Sequence, residues 1–141
     1  MSARSKARKR ALDILYAAEL RGVSPIVVLG EAPLGEGAAQ GKPTANPYTA
    51  TLVEGVVSHQ QRIDELLATY SSGWTLDRMP AIDRNVLRLG VFELLWCADV
   101  PGPVVIDEAV SLVRGLSTDE SPSFVNGILA RILDLRPRLA V

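Results

Sequence analysis

The chain is poor in the side chains on which most enzymes rely. It has one cysteine, Cys97, and one histidine, His59, in 141 residues. A lone cysteine excludes an intrachain disulfide and a cysteine-based zinc site, and it fits a reducing compartment. A lone histidine confines any Ser-His-Asp or Cys-His arrangement to His59. That residue sits on the apolar side of a helical pattern, where a packing role is the default. Aromatic residues make up only 5% of the chain, so aliphatic side chains must fill the core. Long apolar runs are also missing. The most apolar stretch, residues 85–98, is interrupted by Arg88 and Glu93 and is too short and too charged to span a bilayer. No apolar segment follows the basic N-terminus, so no signal peptide is expected and the expected location is cytoplasmic. Alternating strand patterns and repeats of 20–50 residues are lacking as well.

Acidic residues are absent before Asp13, and this absence frames what is present. Arg4, Lys6, Arg8, Lys9 and Arg10 supply five of the fifteen Lys and Arg residues. The whole chain carries a formal charge of -1, so the remainder carries -6. A compact cationic segment on an otherwise acidic protein points to a polyanionic partner, most often nucleic acid. Helix formation does not explain these cations, because they lie at the positive end of the helix dipole. A length of 141 residues fits one domain. The chain is 48% hydrophobic, with a mean hydropathy of +0.18. This apolar surplus points to burial against a partner or a second copy.

Helical periodicity dominates. Ala7, Ala11, Ile14, Leu15 and Ala18 mark one apolar face of a helix over residues 4–21, with Gly22 as its C-cap. Lys6, Lys9, Arg10 and Asp13 gather on the opposite side. Tyr16 follows Lys9 by two turns on nearly the same stripe. Ser24-Pro25 reads as N-cap and first turn of a short second helix. Residues 30–47 read as a flexible Gly/Ala/Pro-rich loop. Asn46-Pro47 then starts the clearest amphipathic helix, with Leu52, Val56, His59, Ile63, Leu66 and Tyr70 on one face and Ser71-Ser72-Gly73 as its stop. One helical turn capped by Thr75 is expected over residues 74–79. A helix from Pro80 to about Ala98 is apolar on nearly all sides, as a central, buried helix would be. Two more follow, over about 104–116 and 122–135, with Ser117 or Ser121 capping the last.

Motifs for catalysis do not survive inspection. Residues 35–43 superficially suggest a phosphate loop, but Glu36 stands where that motif needs Gly, and Pro43 follows Lys42 in place of Ser or Thr. Asp107-Glu108 and Asp119-Glu120 are adjacent pairs that point in different directions on a helix, so neither forms a ready acid–base dyad or metal site. No catalytic residue, cofactor or metal is expected. An aromatic residue beside cations suits single-stranded RNA, whose bases stack while its phosphates meet Lys and Arg. A second helix of helix-turn-helix type is missing, which disfavours DNA.

Three ordered segments carry a family resemblance. Asp83 to Leu94 resembles the R-x-x-L-R-x-x-x-x-E-L helix of the bacterial NusB antitermination family. Val100-Pro101 followed by Val105-Ile106-Asp107-Glu108-Ala109-Val110 resembles its V-P-x-x-V-x-I-[DN]-E-A-V segment, and Phe124-Val125-Asn126-Gly127-Ile128-Leu129 its F-V-N-G-[VI]-L signature. Ala7-Arg8-Lys9-Arg10-Ala11 with Leu15-Tyr16 is similar to the family's Arg-rich first helix. The resemblance implies an all-α fold of about seven helices in two small bundles, residues 1–73 and 74–141. It implies a non-enzymatic transcription factor that binds boxA RNA with NusE, a free small-subunit ribosomal protein, within an RNA polymerase antitermination complex. Carried over, the RNA surface comprises Arg4, Lys6, Arg8, Lys9, Arg10, Tyr16, Ser123, Phe124 and Asn126. Asp83, Arg84 and Glu93 face the protein partner. Phe124 reads equally as a core aromatic, and Asn126-Gly127 as a packing feature. Gly102-Pro103 departs from the aromatic-plus-cation pair common in the family, which implies a differently built partner surface. Related modules of ribosomal RNA methyltransferases carry a further domain for which 141 residues leave no room. The rival reading is a helical protein-interaction module without RNA binding. A homodimer that occluded the basic helix would compete with RNA.

Overall fold

The computed structural model describes residues 2–31 and 46–139. Among the described residues there are six α-helices and no strand. They are α1 (Ala3–Arg21), α2 (Pro25–Glu31), α3 (Pro47–Tyr70), α4 (Ala81–Trp96), α5 (Gly102–Leu116) and α6 (Ser121–Leu135), with 3-10 turns at Leu76–Arg78 and Arg136–Arg138. This agrees with the all-helical expectation of about seven helices. The glycine-rich segment 35–43, and with it most of the 30–47 loop, lies outside the described residues. The chain divides into two compact units, residues 1–58 and 59–141, and the division falls within α3.

In the first unit, local capping sets the helix ends. The Ser2 hydroxyl accepts a hydrogen bond from the Ser5 N–H at 3.1 Å, satisfying one of the donors that open α1. Gly22 closes α1 at φ 66°, its N–H reaching the Ala18 and Glu19 carbonyls. The Ser24 hydroxyl accepts from the Ile26 N–H at 3.2 Å, which starts α2. Arg21 and Glu31 form a bidentate pair at 2.6 and 3.0 Å between α1 and α2. The hydrogen bonds from Arg21 hold the Glu31 carboxyl below its ordinary range. That contribution is present at neutral pH and disappears as pH falls through the lowered value. Asn46 Oδ1 accepts from the Tyr48 N–H at 2.8 Å, so the Asn-Pro start of α3 is a true cap. All five apolar positions read on α1 are buried, as are Leu52, Val53 and Val56 on α3.

In the second unit α4, α5 and α6 pack on one another. Val86, Leu87, Leu89, Val91, Phe92 and Leu94 are all buried, so α4 is surrounded as its apolar circumference requires. Its polar residues are ties. The Arg88 guanidinium meets Asp64 at 2.9 and 3.1 Å and joins α3 to α4. Arg84 Nη1 donates to the Leu76 and Met79 carbonyls at 2.7 and 2.9 Å, fixing the 3-10 turn that precedes its own helix. Asp83 accepts from the Ser117 hydroxyl at 2.5 Å and from the Ser121 hydroxyl at 2.8 Å. Ser121 is therefore the first residue of α6 and a ligand of Asp83, where a side-chain cap was expected. α5 begins at Gly102, ahead of the expected Val104, because Pro103 lacks only an N–H that the first helical turn leaves unused. His59 is half-buried and stacks on Trp96 at 4.0 Å, which gives the lone histidine a packing role.

Two glycines mark close approaches within this unit. A Cβ at Gly90 would lie 2.8 Å from Leu129 Cδ1, and one at Gly102 would lie 2.6 Å from Leu133 Cδ1. Gly102 is thus the packing partner of Leu133, which accounts for the small residue at that departure from the family pattern. Leu129 is wholly buried, whereas Leu133 is half-exposed and free to yield. Gly90→Ala is expected to destabilise by about 1–3 kcal/mol through overpacking. Gly102→Ala should cost less than Gly90→Ala, since the Leu133 side chain it meets is half-exposed and can shift. Asp83→Ala should cost roughly 2–3 kcal/mol by leaving two buried or half-buried hydroxyls without their acceptor. Urea unfolding of the three variants checks the order.

Candidate nucleic-acid interface

The basic end of α1 rests on the start of α3 within the first unit. The Thr49 hydroxyl, fully buried, donates to the Ala7 carbonyl at 3.1 Å. The Tyr48 ring lies beneath two guanidinium groups, with Arg4 at 4.5 Å and Arg8 at 5.7 Å from its centroid. Such contacts hold cations by the negative face of the ring. The five cations of the sequence are therefore not equivalent. Arg8 is only 4% exposed and belongs to the packing of this corner. Arg4 is exposed but ordered by Tyr48. Lys9 pairs with Asp13 at 2.7 Å. Lys6 and Arg10 are exposed and have no carboxylate partner among the described residues. Tyr16 is half-buried on the same helix.

The second group lies at the start of α6. Ser123 and Asn126 are exposed and, three residues apart, share a face. Phe124 is half-buried and meets Trp74 edge to face, with ring centroids 6.2 Å apart and planes at 66°. Gly127 has open space where a Cβ would stand, so it is not a packing glycine. Phe124 and Trp74 both line a groove of about 620 Å³ and an adjoining one of about 330 Å³. Sequence reasoning missed Trp74. Its signal was available: a tryptophan in a chain with few aromatics, directly after a Ser-Ser-Gly stop. Tyr48 had no such signal, since its partners Arg4 and Arg8 lie far away in sequence.

The residues expected to face a protein partner all lie on α4. Asp83 and Glu93 are each 2% exposed. Arg84 is half-buried and committed to backbone carbonyls. The Asp83 carboxylate holds the Ser117 and Ser121 hydroxyls and so positions the helices that carry them. Among the described residues no group of three His, Cys, Asp or Glu is placed to hold a metal ion. No described helix is long and apolar enough to cross a membrane.

The NusB family model matches residues 5–134. The transcription antitermination protein NusB of Nocardioides sp. is 61% identical over 140 residues, covering 99% of this chain and 100% of that protein. T. maritima NusB is 33% identical with a TM-score of 0.81, over 94% of this chain and 92% of that one. The structure of antitermination factors NusB and NusE in complex with dsRNA contains a chain 30% identical, with a TM-score of 0.78, over 93% and 96%. With the helix order, the family segments and these likenesses in agreement, the chain belongs to the NusB family.

Proposed function

We propose that the protein is a transcription antitermination factor that binds the boxA element of nascent ribosomal RNA operon transcripts. It does so with NusE and promotes read-through by RNA polymerase. The role is binding without turnover. Kinship with proteins named for antitermination supports the reading, as does a relative seen with NusE and RNA. The observation that carries it is the exposed, carboxylate-free pair Lys6 and Arg10 on a helix whose other face is wholly engaged.

The division of labour follows from the chemistry. Lys6 and Arg10 meet phosphates, Arg4 is presented on Tyr48, and Lys9 joins once it exchanges Asp13 for a phosphate. Arg8 is a positioning residue. Tyr16, Ser123, Phe124 and Asn126 supply stacking and hydrogen bonds to bases, where selectivity arises. Asp83 and Arg84 act by holding the α4 frame.

Three to four phosphate contacts to single-stranded RNA predict a log–log salt slope of roughly -2 to -3. The Lys6→Ala, Arg10→Ala double variant should keep the thermal midpoint and lower the slope by about 1–1.5. Arg8→Ala should instead lower the midpoint, because it removes a buried side chain from its ring. Fluorescence anisotropy with labelled boxA RNA across a salt series checks both. A flat response, or no binding even with NusE present, would favour a pure protein-interaction module.

A further inference from the structure

Trp74 is 53% exposed, a costly way to leave the largest apolar side chain of a soluble domain. Its backbone, by contrast, is firmly held. The Ser71 hydroxyl, fully buried, donates to the Trp74 carbonyl at 2.5 Å, and the Trp74 N–H donates to the Ser71 carbonyl at 3.2 Å. Ser72 at φ 54° and Gly73 at φ 89° make the left-handed turn between them. The ring is thus mounted on a rigid turn with its surface turned to solvent. Phe124 stands edge-on to it, and the grooves on either side open on these two rings.

We infer that Trp74 and Phe124 form a notch that receives one unstacked nucleobase of the bound RNA. This rests on the RNA-binding reading above and extends it to a residue outside the family-derived set. The charges around the notch favour a polyanion's backbone at its edges. Arg78 lines the larger groove and Arg131 the smaller, and both are exposed. Asp83 also reaches the larger groove, but both its oxygens are occupied by Ser117 and Ser121. Glu120 is the exposed acid at the rim. It repels phosphate and accepts hydrogen bonds from base amino groups, so it favours entry of a base over entry of the backbone. Ser123 and Gly127 line the smaller groove beside Phe124, which makes the notch continuous with the α6 residues assigned to RNA. Aromatic stacking tolerates any base, because every base has a π-face.

The protein has two tryptophans, Trp74 and Trp96. Trp96→Phe keeps a ring against His59 and leaves Trp74 as the sole reporter. Titration of this variant with boxA RNA should quench Trp74 emission, saturating at the same RNA concentration as the anisotropy of labelled RNA. In the otherwise native chain Trp74→Ala should weaken RNA binding by about 5- to 150-fold, the range for loss of one stacked base. It should leave the salt slope and the helical circular dichroism unchanged, and Trp74→Phe should retain most of the affinity. RNA binding with unchanged Trp74 emission and an unaffected Trp74→Ala affinity would overturn the notch while sparing the RNA-binding reading. Quenching by NusE alone, and not by RNA, would overturn it in favour of a protein contact. Absence of any RNA binding by the native chain would overturn both.

Discussion

The Asp83 carboxylate is the constraint on which the second unit depends. Its two oxygens are held by hydroxyls at the end of α5 and the beginning of α6, from residues 34 and 38 positions away. A buried acceptor of this kind is unforgiving. It must find its donors, and this arrangement of the three helices brings both serines to it. The start of α6, and so the direction in which Ser123, Phe124 and Asn126 leave the surface, follows from that arrangement. Arg84 performs the matching task one residue along, binding the carbonyls of the turn that follows Trp74. Adjacent residues on α4 thus fix the two strips of chain that carry the aromatic pair.

The same side-chain types serve opposite ends in this protein. Arg8, Arg84 and Arg88 spend their guanidinium groups on a ring, on backbone carbonyls and on a carboxylate inside the fold. Lys6 and Arg10 stay in water. The distinction follows helical phase. On α1, Arg8 falls one residue after Ala7 and three before Ala11, inside the buried stripe, whereas Lys6 and Arg10 fall outside it. Charge counting treats the cations alike; burial separates them.

This separation also explains what could be read from the sequence. Helix starts at Ser24-Pro25 and Asn46-Pro47, the Gly22 stop and the apolar stripes depend on neighbours within a few residues, and all were legible. Arg8's place in the buried stripe was legible from its phase, but the burial of Asp83 and Glu93 was not, because it depends on groups distant in sequence that only folding supplies. The family segments were recognised correctly. The contacts by which Asp83 and Arg84 secure the framework from within it could not be read there, because their partners lie outside those segments or on other elements. Trp74 was overlooked for a different reason. A residue just beyond a helix stop belongs to no periodic pattern, so pattern reading passes over it.

The Lys9–Asp13 pair sets a condition on any anion that approaches this turn of α1. Asp13 is an internal counter-ion, already seated on Lys9. The order, Lys before Asp, is the less favourable one along a helix, and such exposed pairs are worth only about 0.3–0.5 kcal/mol. The toll on a well-fitting ligand is therefore small, about twofold. The same factor applies to every anion, so the pair sets a uniform threshold at that cation and leaves discrimination to other groups.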